Sequence, residues 1–244
     1  ISKAEIMNAQ FLYFMGLFSL VMLTSHAQGE SSNTSQWIDL FDGKTLNGWH
    51  QYNGGAVGDE WSVSQGVLSF SPKEKRNWDN GGKDIVTDQD FTSFVLSLEW
   101  KISEAGNSGI FWGVKEDEKY REPYMTGPEI QILDNDRHPD ALSNPKFHQA
   151  GALYDLVQPT AEVCKPAGEW NHVILSIDHA NNSGYVVLNG TEIVRFPLQG
   201  KMWRKKVKNS KFKGWKGFGK FKTGKIGLQD HGDKVAFRKI KIKK

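Results

Sequence analysis

The chain has 244 residues, 38% of them hydrophobic, and a net charge of +3, which excludes wholesale disorder and leaves room for one large β domain or two small ones. With 25 Gly, 8 Pro and no long helical periodicity beyond the N-terminus, the composition favours many short strands joined by turns. A single cysteine, Cys164, excludes an intrachain disulfide and a multi-cysteine zinc site, and is expected to be a small buried hydrophobe.

Residues 11–23 form an apolar run too short for a membrane span, which needs about 20 residues. Ser25 and Ala27 flank His26 with the small residues a signal peptidase reads, so 1–27 is predicted to be a signal peptide cleaved after Ala27. No cysteine follows the run, which argues against a lipid anchor. Residues 28–36 are polar and Ser-rich and read as a flexible leader. The mature protein is then expected in the periplasm or outside the cell, with no stable membrane insertion.

The domain is predicted over 37–244. Asp42-Gly43 signals a turn. Residues 61–70 read as a hairpin about a Gln65-Gly66 turn, and 185–194 as a second about Asn189-Gly190. Phe94, Leu96, Leu98 and Trp100 recur at period two and predict a half-buried strand over 91–102. Asn107-Ser108-Gly109 reads as a turn before an apolar strand with both faces covered. Further short strands are expected at 151–156, 171–178, 225–231 and 235–242, with Val235 and Phe237 facing away from Ile240 and Ile242. Residues 134–149 read as a long polar loop. Regular turns, many strands and almost no helix predict a β-sandwich or jelly roll, and no internal repeat suggests a propeller.

Two of these strands divide polar from apolar. In Glu129-Ile130-Gln131-Ile132, alternation puts Glu129 and Gln131 on one face and the isoleucines on the other. In 226–231, Gln229 and His231 oppose Ile226 and Leu228. Two such strands suggest a sheet used as a binding platform. Residues 201–225 interleave Trp203, Phe212, Trp215, Phe218 and Phe221 with lysines, a pattern that suits a lid over a sugar or a solvated loop. Nucleic acid is not expected as a partner, because no zinc, helix-turn-helix or RNP signature accompanies the charge.

Seven motifs then occur in one order: Trp61-x-Val63-x-x-Gly66-Val67-Leu68, Asn107-Ser108-Gly109, Glu129-x-Gln131-x-x-Asp134, Gly151-Ala152-Leu153-Tyr154, Gly168-Glu169-Trp170-Asn171, Leu188-Asn189-Gly190 and Gly227-x-Gln229-Asp230-His231-Gly232. In these the chain resembles the 3-keto-disaccharide hydrolase domain family, over 37–244. The resemblance implies an all-β, concanavalin-like jelly roll of two antiparallel sheets, acting on small carbohydrates already oxidised at C3. A C3 keto group makes the C2 hydrogen acidic. A base can remove it, and the enolate can then expel the C1 substituent.

Glu129 and His231 are the acid/base candidates for that chemistry. Gln131, Gln229, Tyr154, Asp134 and Trp112 are candidates for substrate contact, although Asp134 at a strand end also suits a turn cap. No cofactor is expected. A metal held by His138 or His148 with Asp134 or Asp136 fits no zinc spacing. Two other readings stay open: a non-catalytic carbohydrate-binding domain, and a retaining glucanase on the same fold. The second needs another acid about 5 Å from the first, where Gln131 stands.

Overall fold

The computed structural model describes residues 36–74, 76, 82–144 and 146–244. The predicted signal peptide lies outside the described residues, as does the leader apart from Gln36. No helix among the described residues is long and apolar enough to cross a membrane.

In chain order the elements are β1 (Ile38–Asp39), β2 (Trp49–Gln51), β3 (Trp61–Ser64), β4 (Val67–Phe70), β5 (Ile85–Thr87), β6 (Phe94–Ile102), β7 (Asn107–Val114) and β8 (Glu129–Leu133). Then come helix α1 (Pro139–Ser143), β9 (Asn171–Asp178), β10 (Ser183–Leu188), β11 (Thr191–Phe196), helix α2 (Gly200–Lys208), β12 (Lys225–Leu228) and β13 (Val235–Lys243). The strands form two antiparallel sheets. One runs β11-β10-β9-β6-β13-β4-β3, with β1 also paired to β13, and the other runs β2-β5-β12-β7-β8. A shared apolar core, including Leu68, Leu98 and Trp100 with Ile110, Ile130 and Leu228, joins them into a jelly-roll sandwich.

Both hairpins close where expected. Gln65 and Gly66 have φ of 51° and 77°, and Asn189 and Gly190 have 49° and 87°, the left-handed pair that a two-residue turn requires. In β6, Phe94, Leu96, Leu98, Trp100 and Ile102 are buried while the residues between them are half-buried.

Three expectations change. Asn107-Ser108-Gly109 is the start of β7, paired with Leu133, Ile132 and Gln131, and not a turn. Residues 151–156 make only isolated bridges, from Leu153 to Ile130 and to Val157. In β13, Val235, Phe237, Ile240 and Ile242 are all buried in the core. A bulge at Lys239 (φ 53°), where the register shifts between Arg238 and Lys241, supplies the extra residue that returns both isoleucines to the inner face. The loop 134–149 also contains α1, whose first turn is capped by His138 Nδ1 accepting the Asp140 N–H at 3.1 Å.

Candidate active site

Strand β8 supplies the floor. Ile130 and Ile132 enter the core, which leaves Glu129 and Gln131 on the outer face of the five-stranded sheet. Gly109, opposite Gln131, makes room there: a Cβ at that position would lie 2.1 Å from Glu129 Oε1. The free edge of β8 is covered by 151–154. The Gly151 N–H donates to Gln131 O at 2.8 Å, the Gln131 N–H to Ala152 O at 3.0 Å, and the Tyr154 N–H to Glu129 O at 3.0 Å. This segment need not be a regular strand to satisfy the edge, and it delivers Tyr154 to the same face.

Beyond β12, the Gln229 N–H donates to Gly109 O at 2.9 Å, which sets Gln229 in line with Gly109 and Gln131 across the sheet. His231 follows, its Nε2 3.5 Å from Asn107 Nδ2. Behind this corner lies a buried charge cluster. Arg76 stands 3.0 Å from Glu122, 3.0 Å from Asp230 and 3.5 Å from Asp84. Asp230 in turn accepts the N–H of Gly232 at 2.7 Å and of Lys83 at 2.9 Å, so the cluster anchors the residue next to His231.

These elements enclose a cavity of about 290 Å³. Glu129, Gln131, Tyr154, Gln229 and His231, all read from sequence, line it together. Asn107, Tyr124, Asp140, Lys211, Phe212 and Trp215 complete it. Phe212 and Trp215, from the basic-aromatic stretch, are among these lining residues. Asp140, carried in by α1, had no sequence signal beyond its place in a polar loop.

Two candidates stand elsewhere. Trp112 shares the inner face of β7 with Ile110, is 5% exposed, and packs its ring 5.6 Å from Phe196 in the core. Strand alternation puts it opposite the cavity face. Asp134 closes a turn, accepting the Ala105 N–H at 2.8 Å, the Asp136 N–H at 3.2 Å and Arg137 Nη1 at 3.2 Å. It is absent from the cavity lining because its carboxylate is spent on those donors.

Residues 36–243 match the family described as 3-keto-alpha-glucoside-1,2-lyase-like domain. The chain belongs to this family. It is 36% identical over 229 residues to a 3-keto-disaccharide hydrolase of Bacteroides thetaiotaomicron, covering 85% of this chain and 78% of that one. Among solved structures, a candidate glycosyl hydrolase from Parabacteroides distasonis aligns with a TM-score of 0.76 and 32% identity, over 85% of this chain and 93% of that one. A second from the same organism gives 0.63 and 25%, over 85% and 98%. The protein is thus related to carbohydrate hydrolases.

The cavity of this 3-keto-alpha-glucoside-1,2-lyase-like domain holds two carboxyls with opposed ionisation. Burial pushes the Glu129 carboxyl up to about 8; Lys211 offsets part of that rise and the charge of Asp140 adds to it. Asp140 feels burial too, yet its carboxyl is held below the usual range by the bonds it accepts. These come from Tyr154 Oη at 2.8 Å, His148 Nδ1 at 2.8 Å and Ser143 Oγ at 3.1 Å. His148 also reaches Asp155 at 3.1 Å and stacks on Tyr154 with ring centres 4.3 Å apart. Lys211 Nζ lies 4.1 Å from the Tyr154 ring centre. Burial, aided by Arg76 and His138, pulls His231 down to about 4, so its imidazole is neutral at pH 7. Groups pushed apart in this way divide the roles of acid and base.

His138, His231 and Asp233 bring ligand atoms within 4.8 Å of one another at the edge of the domain's cavity. This set differs from the loop residues considered from sequence, of which only His138 recurs. The residue types suit a divalent transition metal. The contact between His138 Nδ1 and the Asp140 N–H leaves the ring proton on Nε2, so ligation by His138 would require that cap to open. Cys164 lies half-buried outside the cavity, its thiol pushed up to about 12 by burial, which keeps it protonated and unreactive.

Proposed function

We propose that the protein cleaves the glycosidic bond of glycosides oxidised at C3, with Glu129 as the proton-transfer group. One observation carries the reading. Asn107 Oδ1, Gln131 Oε1 and Gln229 Oε1 are buried, have no hydrogen-bond partner, and line the same cavity as Glu129. Buried acceptors without donors are costly, at about 1–3 kcal/mol each, and a polyhydroxylated ligand supplies the missing hydrogens.

In its ionised form Glu129 takes the C2 proton, and the C2–H electron pair becomes the C2–C3 double bond of an enolate. A base of pKa about 8 suits this step, since it is both basic and partly ionised near neutral pH. Lys211 supplies positive charge against the enolate, and the neutral His231 offers one N–H to a developing oxygen anion. The enolate electrons then form the C1–C2 double bond as the C1–O bond breaks. The departing oxygen takes up a proton, for which the newly protonated Glu129 is the carrier. Addition of water at C1 turns elimination into net hydrolysis. Tyr154, held by Asp140 and protonated by burial and that bond, forms a rigid wall beside the ring. Export to the periplasm or beyond is part of this reading and rests on the predicted signal peptide.

Asp140 does place a second acid in the cavity, which favours an ordinary retaining hydrolase over a lectin as the competing reading. Its oxygens are engaged by three donors, a poor state for a nucleophile. The test is to incubate the purified protein with a 3-keto-disaccharide and with its unoxidised parent in D2O, following products and C2 deuteration by NMR. The expected result is cleavage of the keto sugar alone, with C2 exchange lost in Glu129→Gln. Equal cleavage of the parent, or full activity in both Glu129→Gln and His231→Ala, would sink the proposal.

A further inference from the structure

A second cavity, of about 450 Å³, lies between α2 and the loop that follows it. Its floor includes Trp203 and Phe218, whose parallel rings are 6.5 Å apart, and Trp215 lines both this cavity and the one holding Glu129. Every charged residue around it is basic: Arg204, Lys208, Lys213, Lys220 and Lys222. The surrounding sequence is equally one-sided. Residues 201–222 carry ten Lys and Arg and no Asp or Glu, so the rest of the chain has 21 bases against its 28 acids. Elsewhere bases find acids, as Lys119 does with Asp117 and Arg238 with Glu99. Among the described residues, none of these ten is in an ion pair. Positive charges held together without counter-charges repel one another. In a concave site with apolar walls, their field focuses outward on anions.

We propose that this groove binds an anionic sugar unit, bearing a carboxylate or sulfate, linked to the ring that occupies the Glu129 cavity. The proposal rests on the reading of that cavity as the reaction site, and it names the substrate class as acidic oligosaccharides. Three features select a sugar over an anionic membrane. The surface is concave, its aromatic rings are buried or half-buried and do not protrude, and Trp215 is shared with the lining of the candidate active site, which makes the two cavities neighbours. In α2 only Met202 is an exposed large hydrophobe, at 59%. A lone exposed side chain is a weak membrane anchor.

The experiment is calorimetric titration of the full protein with oligogalacturonate, with heparin-derived oligosaccharide and with neutral cello-oligosaccharide, at about 0.05 M and about 0.5 M NaCl. Three of the five exposed groove cations are reversed together in R204E/K213E/K220E, none of which lines the Glu129 cavity. An anionic oligomer is expected to bind more tightly than the neutral one, to weaken about tenfold or more at high salt, and to lose its binding in the triple variant. Turnover of a neutral 3-keto-disaccharide is expected to be the same in both proteins. That activity arm separates the two readings: its failure in the parent protein counts against the reaction, and the binding arm stands apart from it. Equal affinity for neutral and anionic sugars, or anionic binding unchanged by the triple variant, overturns the proposal. So does binding to phosphatidylserine vesicles without binding to either acidic sugar.

Discussion

Glutamine at position 129 should make the protein more stable and inactive at once. An exposed glutamate ionises at 4.5, whereas burial holds Glu129 at about 8. At pH 7 the unfolded chain carries the carboxylate and the native protein carries mostly the acid, so folding takes up a proton against solution pH. The 2.5 units between 4.5 and pH 7, at about 1.4 kcal/mol each, amount to a penalty of about 3–4 kcal/mol. The native state binds more protons, so stability is greatest below 4.5 and falls as pH rises through about 8. Glutamine is neutral in both states and escapes the penalty. Urea unfolding of both proteins between pH 4 and pH 9 isolates the difference from every other titration. The variant should match the parent near pH 4, exceed it by about 3–4 kcal/mol at pH 7, and level off at about 5 kcal/mol above pH 8. A pH-independent difference, or a variant less stable than the parent at pH 7, would refute the argument from burial. Turnover should be lost at every pH.

Gly109→Ala tests the same carboxylate from its neighbour. The new Cβ would meet Glu129 Oε1 at 2.1 Å, so kcat/KM should drop about a hundredfold with a stability loss of about 1–3 kcal/mol; unimpaired turnover would mean the side chain has room to move. Asp140→Asn removes a negative charge that raises Glu129, so the acid limb of the pH–rate profile should move to lower pH, and movement the other way would contradict the assignment. Arg76→Met leaves three buried carboxyls without their guanidinium. A loss of about 3–5 kcal/mol is expected at pH 7, shrinking as the pH falls and Asp84 and Glu122, both raised by burial, take up protons; an unchanged melting temperature would rule the cluster out as a structural anchor. Cys164 should resist thiol reagents at pH 8 in the native protein, because burial holds its thiol at about 12. Rapid labelling would show the site opens.

What could be read in advance followed from local rules. Gln65-Gly66 and Asn189-Gly190 need left-handed backbone, so the hairpins were legible. Period two in β6 and the split faces of β8 and 226–231 told which side chains meet the core and which line the cavity. That logic found Glu129, Gln131, Gln229 and His231. It failed where one residue shifts the phase, as the Lys239 bulge does in β13.

The sequence by itself determined the antiparallel sandwich, the family and the polar face that carries the site, because alternation and turn chemistry act over a few residues. Only the tertiary structure decided which residues share the cavity. Asp140 and Lys211 arrive from a loop and a post-helical segment whose packing no spacing encodes. Trp112 is excluded by one step of strand phase, and Asp134 by donors from Ala105 and Arg137. The ionisation of Glu129 was likewise hidden, since it arises from the depth of burial and from charges some 10 and 80 residues away in the chain, at Asp140 and Lys211. Electrostatics depends on distance through space, and only folding sets that distance.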